Sequence, residues 1–396
     1  MTGPLKEFRI VDTTSMVSGP SAAMLLADQG ADVIKVENPK GGDHTRSSAN
    51  TQNGFSANFL NNNRNKRSVT LNLKNDRAKR AFLKICEMSD VFIQNFRPGV
   101  ADRIGIGEAD IRAVREDIIY VSICGFGESG PYAAKPVYDP LIQALSGLAT
   151  VQAGSDEERP RLVRTILPDK LTGIVAAQAI TAALLARTKT GRGQHVRVSM
   201  LDTIIAFLWG SDMGSQTFVD SPFPQQNAAS FIDLIYETAD GYISVAVQSD
   251  REWQALTRAV DRPDWLEDER FKTPALRQEN IDDRLNFTQE MLRTAPSAEW
   301  LARLEAEDVP CAPVLTRSEA IRHRQVAANA IVVETKHHLA GHLRQARPAA
   351  QFSETPLDNF TGGPALGEHT REVLAEAGCS EETIAALADS QRDTAQ

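Results

Sequence analysis

The sequence predicts an α/β protein in which helices cover a parallel sheet, with a smaller α+β region attached. Strand–helix–strand units repeat near the N-terminus, and an alanine-rich apolar segment lies mid-chain. The amino-acid composition changes near residue 220, where prolines and polar residues become frequent. A strand that is followed by a helix and a neighbouring strand favours a parallel sheet with covered faces. With 396 residues and 42% hydrophobic content, the chain is long enough for two domains.

The first strand–helix–strand unit spans residues 8–37. A short apolar strand at 8–12 precedes Ser18-Gly19-Pro20, which opens a helix, and Gly30 is a natural helix end before the strand at 32–37. A second unit has a strand, a helix and a strand at 68–73, 76–88 and 90–94. Further strands are expected at 118–124 and 194–200, and a helix at 201–209.

The change in amino-acid composition near residue 220 predicts a domain boundary. Pro222, Pro224 and the polar run 225–227 are typical of a linker. Strand-like runs at 232–236 and 242–247 then flank Asp240-Gly241, a hairpin signal, and amphipathic helices follow. The predicted domains are a large one formed by residues 1–220 with 326–396, and a small α+β one formed by residues 221–325.

Charge and cysteine usage exclude several classes of protein. The net charge of −9 argues against a protein that coats nucleic acid or an anionic membrane. The four cysteines lie far apart without a CxxC pair, as is typical of a reducing cytoplasm. No basic-then-apolar leader and no uninterrupted run of about 18 apolar residues are present, so a cytoplasmic protein without a membrane span is expected.

Asp169 is the leading candidate for a reactive side chain. Pro168 biases Leu167 away from helical dihedral angles, so a buried apolar helix through 171–187 should begin at or just after Asp169. A carboxylate there faces free backbone N–H groups and the positive end of the helix dipole, which favour its ionised form. An ionised carboxylate that is shielded from water can act as a nucleophile. The alternative is that Asp169 is only a helix cap.

A glycine pattern and several basic clusters are weaker signals. The run 125–130 matches G-x-G-x-x-G after a strand, but Pro131, Pro136 and Pro140 exclude the helix that a dinucleotide site needs, which leaves a ligand-approaching loop or an ordinary turn. Arg97 and Gly99 follow the strand at 90–94, and ligands of open parallel sheets bind at such strand ends. Both residues are therefore candidate contacts for a phosphate group. The other basic residues, including Arg64, Lys66 and Arg67, are expected mostly on solvated helix faces.

The sequence does not predict a metal site or the active site of a hydrolase. His338 and His342 have i, i+4 spacing, but Gly341 weakens a helix there and no carboxylate or cysteine ligand is well placed, so no metal site is predicted. The G-x-S-x-G, H-E-x-x-H and phosphate-loop patterns do not occur.

Taken together, several segments resemble the class III CoA-transferases, the family that contains formyl-CoA transferase and the carnitine CoA-transferase. Their order and spacing carry the resemblance almost from end to end of the chain. The matching stretches are GADVIKVENPKGGD at 30–43, NKRSVTLNLK at 65–74, DVFIQNFRPG at 90–99, YVSICGFGESGPYAAKPVYD at 120–139, PDKLTG at 168–173, TGRGQHVRVSMLD at 190–202 and LGEHTREVL at 366–374.

The resemblance implies a Rossmann-like large domain built from both chain ends, an inserted small domain, and an interlocked homodimer. It also implies transfer of CoA from an acyl-CoA donor to a small carboxylic acid, through an aspartyl anhydride and an aspartyl-CoA thioester on Asp169. Coenzyme A is then a substrate, and no permanently bound cofactor is expected. No nucleic-acid or membrane partner is expected.

The same resemblance implies positions for the substrate contacts. Ser18 and the glycines Gly125, Gly127 and Gly130 are expected to help stabilise the oxyanions. The CoA contacts are expected at Val17, Leu71, Lys74, Asn95, Phe96, Arg97, Arg103, Lys135 and Tyr138.

Two departures from the family pattern and one comparison with a sister family limit the expected function. Val17 stands where many members carry a polar residue. The loop 247–250 lacks the glycines of the formyl-CoA transferase lid, so an oxalate-specific site is not expected. An acyl-CoA racemase of the sister family is the alternative function, but Tyr138 occupies the position of the racemase histidine and is a poor base near neutral pH.

Overall fold

The computed structural model describes residues 2–220, 234–357 and 360–392. The chain forms two compact units. Unit 1 comprises residues 1–153, 159–217 and 331–396, and unit 2 comprises 154–158 and 218–330. The predicted domain boundaries at 220/221 and 325/326 remain predictions, as does the Rossmann-like description of the large domain.

The strands are numbered in chain order. They are β1 (Arg9–Asp12), β2 (Asp32–Glu37), β3 (Thr51–Gln52), β4 (Phe55–Ser56), β5 (Lys66–Thr70), β6 (Val91–Gln94), β7 (Ile119–Cys124), β8 (His195–Ser199), β9 (Ile235–Glu237), β10 (Tyr242–Val245), β11 (Cys311–Pro313), β12 (Val332–His337) and β13 (Gly341–Ala346).

The helices of unit 1 cover its sheet or extend its loops. They are α1 (Ser18–Ala27), α2 (Ala57–Asn63), α3 (Asp76–Glu87), α4 (Val100–Ile104), α5 (Glu108–Val114), α6 (Asp139–Leu145), α7 (Leu148–Val151), α8 (Leu167–Thr190) and α9 (Met200–Trp209). In unit 2 they are α10 (Asp250–Ala259), α11 (Pro274–Glu279), α12 (Ile281–Leu292), α13 (Ser297–Ala306), α14 (Arg317–Ala320) and α15 (Arg324–Ala328). The C-terminal part of unit 1 adds α16 (Thr370–Glu376) and α17 (Glu381–Arg392), and short 3₁₀ turns lie at His44–Ser47, Gly214–Gln216 and Pro263–Leu266.

A six-stranded parallel sheet forms the centre of unit 1, as the sequence predicted. The strand order is β5-β2-β1-β6-β7-β8, and every neighbouring pair is parallel. The order reverses between β1 and β6, so the carboxyl ends of these two strands bound a crevice. Ligands of open parallel sheets bind at such a reversal.

Apolar cores lie on both faces of this sheet. One core packs α3, α5, α16 and α17 against it through residues such as Phe82, Ile111 and Val373. The other packs α1 and α8, which are rich in alanine, through Ala22, Leu26, Ala176 and Ile180. Small side chains on α1 and α8 allow the two helices to approach closely.

Unit 2 is an α+β unit with its own core. Its antiparallel sheet has the order β11-β10-β9, and the strand predicted at 232–236 corresponds to β9, with residues 232 and 233 outside the described part. Trp253, Trp265, Trp300 and Phe271 are fully buried between this sheet and the helices.

Helix α8 corrects the predicted start and burial of the mid-chain helix. It begins at Leu167 with Pro168 in its first turn, where a missing backbone N–H costs nothing. Asp169 is therefore the third helical residue and not a cap. Ile174 and Leu185 are more than half exposed, so only one side of α8 is buried. By length and composition this helix also meets the criterion for a bilayer span, as core helices of soluble proteins often do.

The expectation for two of the basic residues is wrong. Arg64 and Lys66 are buried and not on solvated helix faces, because Arg64 pairs with Asp28 and the Lys66 ammonium lies 2.9 Å from an Asp12 carboxylate oxygen. His338 and His342 do not share a helix, in line with the helix-weakening effect expected of Gly341, because β12 and β13 form an antiparallel hairpin there.

Candidate active site

The crevice at the strand-order reversal is held together by Asn95. Its side-chain amide donates to the Ser15 carbonyl at 2.8 Å and its carbonyl accepts from the Ser15 backbone N–H at 3.0 Å. Asn95 therefore joins the loop after β6 to the loop after β1. Met16 adopts a left-handed conformation with φ of 73°, and its N–H donates to an Asp43 carboxylate oxygen at 3.2 Å. These bonds fix the turn that leads into Val17 and Ser18.

Asp169 lies beside the start of α1 because α8 approaches that helix closely. A Cβ added at Gly173 would lie 2.1 Å from the Ser21 hydroxyl and 3.0 Å from the Ser18 carbonyl, so only glycine permits the contact. Asp169 is one helical turn before Gly173, on the same side of α8. The structure thus brings Asp169 and Ser18 together, and Val17 is buried at the cap position of α1.

Burial raises the pKa of Asp169. Loss of solvation is the largest effect, the negative charge of Asp139 acts in the same direction, and hydrogen bonds from the Ser18 backbone and side chain offset them in part, which leaves the pKa at about 6. The helix-terminus argument predicted the opposite direction. Asp169 remains mostly ionised at pH 7, and it is more basic and hence a better nucleophile than an ordinary aspartate.

Asp139 is a site residue that the sequence reasoning missed. It is the first residue of α6 and is buried, and its Oδ2 accepts from the backbone N–H of Asp169 at 3.4 Å. The available signal was a carboxylate next to a proline at a helix start, although Asp139 precedes Pro140 whereas Asp169 follows Pro168. Nothing in the local sequence shows that the two carboxylates meet.

A cavity of about 310 Å³ opens at the carboxyl ends of β1, β2 and β5. Leu71, Lys74 and Phe96, three of the expected CoA contacts, line it together with Thr14 and Ser15. Phe96 also borders a second cavity of about 310 Å³, which Arg97 and His195 line. The two cavities therefore lie on either side of the segment that follows β6.

The basic residues that were predicted to contact CoA are not neutralised by acidic side chains within the described residues. Within the described residues, Lys74, Arg97 and Arg103 form no salt bridge, whereas most buried arginines are paired. Arg103 lies on α4, with a guanidinium nitrogen near Gly99. Unpaired cations at the edge of a cavity can bind phosphate.

The remaining candidates lie in the loop between β7 and α6. Gly127 and Gly130 have φ of 102° and 88°, and Gly125 packs against Val137 with no room for a Cβ. The Lys135 ammonium lies 3.3 Å from the centre of the Tyr132 ring. Tyr138 is 70% exposed at the cap of α6. The first helix after the glycines begins at Asp139, which agrees with the rejection of a dinucleotide loop.

Comparison with known proteins assigns the family. The family model described as CoA-transferase family III matches residues 5–370. The chain belongs to CoA-transferase family III. It is therefore a transferase enzyme, and the members that it matches are named CoA-transferases, which does not favour the racemase alternative.

The similarity to relatives and to solved structures extends over nearly the whole length of this chain. It is 30% identical to succinyl-CoA:glutarate CoA-transferase of Mus musculus, over 94% of this chain and 86% of that protein. It is 33% identical to formyl-CoA:oxalate CoA-transferase of Streptomyces coelicolor, over 98% of both. The structure is similar to that of Rv3272 from Mycobacterium tuberculosis, with a TM-score of 0.82, 30% identity, and 94% and 99% of the two chains covered. It is also similar to a CAIB/BAIF family protein from Brucella suis, with a TM-score of 0.83, 28% identity, and 95% and 100% covered.

Proposed function

We propose that this enzyme moves CoA from an acyl-CoA donor to a small carboxylic acid through covalent intermediates on Asp169. The observation that carries the proposal is the half-buried carboxylate of Asp169 beside Ser18, with a pKa raised to about 6. Such a carboxylate is ionised at neutral pH, yet it is poorly solvated and basic. Both properties favour attack on a thioester.

The reaction proceeds in four balanced steps. An Asp169 oxygen attacks the donor thioester carbon, and the carbon–sulfur bond breaks to give a mixed anhydride and CoA thiolate. The thiolate attacks the Asp169 carbonyl and releases the donor acid, which leaves an aspartyl-CoA thioester. The acceptor carboxylate then displaces the thiolate to form a second anhydride. Attack of the thiolate on the acceptor carbonyl gives the new acyl-CoA and regenerates the Asp169 carboxylate, with no net proton or electron consumed.

Each step passes through a tetrahedral oxyanion that needs donors. We assign this role to the Ser18 N–H and hydroxyl and to backbone groups of the loop at Gly125, Gly127 and Gly130. Positive φ at Gly127 and Gly130 turns peptide groups in directions that other residues rarely adopt. Shielding from water is equally necessary, because water would hydrolyse the anhydride and the thioester.

The cavity at the carboxyl ends of β1, β2 and β5 is the proposed site of the CoA nucleotide. Its apolar surface at Leu71 and Phe96 suits the flat face of a base, and Lys74 supplies charge for phosphate. Val17, Asn95, Arg97 and Arg103 surround the same crevice in the proposal. Lys135 and Tyr138 are proposed near the pantetheine arm.

A homodimer is also part of the proposal. Ile174 and Leu185 on α8, and Phe207 and Trp209 on α9, are more than half exposed. Large apolar side chains are costly to expose to water, and a partner subunit would bury them. A cytoplasmic location and the absence of nucleic-acid and membrane partners remain predictions.

The proposed function is tested by a screen of carboxylic acids with succinyl-CoA and acetyl-CoA as donors, with the thioester products separated by chromatography. We expect at least one acid to yield its CoA thioester with the wild type and none with Asp169→Asn. Asp202→Asn is the matched control, because Asp202 is likewise the third residue of its helix, α9, but is exposed. Transfer that survives Asp169→Asn undiminished, with deamidation excluded by mass spectrometry, would refute the proposal.

A further inference from the structure

Gln143 is a buried side chain that forms hydrogen bonds with Asp139 and with the chain segment that carries Asp169. It lies in α6, one turn after Asp139, and is 2% exposed. Its side-chain carbonyl accepts from the Val163 N–H at 2.9 Å. Its amide nitrogen donates to the Val163 and Thr165 carbonyls at 3.3 and 3.4 Å and to Asp139 Oδ1 at 2.6 Å. The Val163 donor fixes the orientation of this amide.

Asp139 and Gln143 together hold the segment at three points. Gln143 binds Val163 and Thr165, and Asp139 Oδ2 accepts from the N–H of Asp169. Helix α8 has no side-chain cap of its own, since Ile166 occupies that position. The direction in which α8 starts is therefore fixed by α6 and by the packing of α8 on α1, and not by a local cap.

We propose that Gln143 is a positioning residue for the Asp169 nucleophile, acting through Asp139 and through the segment 163–169. This inference rests on the proposed function, because it assigns a role in the same reaction. The amide of Gln143 orients the Asp139 carboxylate towards the start of α8. It thereby keeps a negative charge beside Asp169 and holds the Asp169 backbone in the geometry for attack on the thioester.

Loss of Gln143 has two expected consequences for the chemistry. The Asp169 carboxylate becomes less well oriented, which slows acylation at saturating donor and lowers kcat more than it raises KM. Asp139 also loses its fixed position, so its charge raises the pKa of Asp169 less. The acid limb of the pH–rate profile should therefore shift to lower pH, which a merely structural role would not produce.

The test is the rate at which succinyl-CoA acylates Asp169, read by hydroxylamine trapping and mass spectrometry between pH 4.5 and pH 8. The variant is Gln143→Met, which is similar in size. The matched control is Gln289→Met in unit 2, because Gln289 is also buried and its amide exchanges bonds with the backbone of Glu237, at 2.9 Å each. We expect Gln143→Met to slow trapping about tenfold or more and to shift the acid limb downwards, while Gln289→Met keeps the wild-type rate and limb.

Asp139→Asn supports the same test if Gln143→Met fails to fold. It should produce the downward shift by itself. Where Gln143→Met does fold, the double variant should shift no further, since Gln143 affects the pKa of Asp169 through Asp139. Equal trapping rates and pH limbs in Gln143→Met, Asp139→Asn and wild type would overturn the inference alone. A wild-type enzyme that transfers CoA but is never trapped on Asp169 would overturn both the inference and the proposed mechanism.

Discussion

At Asp169, burial and the neighbouring charge of Asp139 raise the pKa of the carboxyl group, whereas hydrogen bonds from Ser18 lower it. Burial has the largest effect, so the pKa is raised overall. The result is a carboxylate whose ionised form is destabilised by the fold. A carboxylate whose ionised form is destabilised is more reactive towards a thioester, because the attack moves its negative charge onto the substrate. Catalytic groups commonly carry such perturbed pKa values, and the folded protein is less stable as a consequence.

The first residue-scale prediction concerns stability and pH. The pKa of Asp169 is raised in the folded state, from 3.8 to about 6, so ionisation costs stability as the pH rises through this window. Asp169→Asn should therefore be more stable than wild type at pH 7.5, by up to about 3 kcal/mol, and equal to it below about pH 4. Urea unfolding at both pH values measures this difference. A variant that is less stable at pH 7.5 would contradict the raised pKa of Asp169.

The second residue-scale prediction concerns Lys74. If it binds a CoA phosphate, Lys74→Ala removes a charge-assisted hydrogen bond and should raise KM for acyl-CoA about tenfold, with little change in kcat. Steady-state kinetics at low and high salt measure the effect. Lys189→Ala, at the exposed C-terminal end of α8, should leave KM unchanged. An unchanged KM in Lys74→Ala would remove Lys74 from the CoA site.

At the scale of elements, the contact between α1 and α8 places the Asp169 carboxylate beside Ser18. Alanine-rich faces and Gly173 let the two helix starts approach, and a side chain at Gly173 would collide with Ser21. The loops after β1 and β6 supply the opposite side of the crevice through Asn95. The site is thus assembled from helix ends and strand ends of one parallel sheet.

This contact predicts the effect of Gly173→Ala. The added methyl group should push α8 away from Ser18, lower the free energy of unfolding by about 1–3 kcal/mol, and reduce CoA transfer. Denaturant unfolding and transfer assays measure the two effects. Ser21→Ala in the same chain should restore part of each, because it removes the hydroxyl that collides. Gly214→Ala, where a Cβ meets nothing within 4 Å, is the control. Full activity in Gly173→Ala would contradict the account.

The elements differ in how far the sequence predicted them. The β1–α1–β2 unit was predicted well because Pro20 and Gly30 mark its turns. The start of α8 was not, because Pro168 is compatible with the first turn of a helix as well as with the residue before one. Lys66 looked solvated because its partner Asp12 is distant in the chain. Asp169 was predicted from its place beside Pro168 at a helix start and from the order of motifs, whereas Asp139 and Gln143 could not be predicted because they depend on tertiary contacts.

At the scale of the whole molecule, unit 1 is built from both ends of the chain, since α16 and α17 pack on the same sheet face as α3. The sequence predicted the sheet from its repeated strand–helix units. The exposed apolar residues on α8 were not expected, because the mid-chain helix was predicted to be buried, and no prediction was made about the exposure of α9. Their exposure in one chain is the structural reason to propose a dimer.

The dimer prediction is specific about dissociation. The enzyme should have twice the 43.3 kDa of one chain at every concentration tested, and the dimer should dissociate only as it unfolds. Light scattering and circular dichroism across a urea series measure both events in one sample. A folded monomer at low urea would contradict an interlocked dimer.

The central claim, that Asp169 exchanges oxygen with both acids, is tested most directly with an acceptor acid labelled with oxygen-18 in its carboxylate. The acceptor oxygen that forms the second anhydride stays on the enzyme when the thiolate leaves with the acceptor acyl group. After many turnovers we therefore expect heavy oxygen in the Asp169 peptide and in the released donor acid. Full turnover with no heavy oxygen in Asp169 would contradict the account.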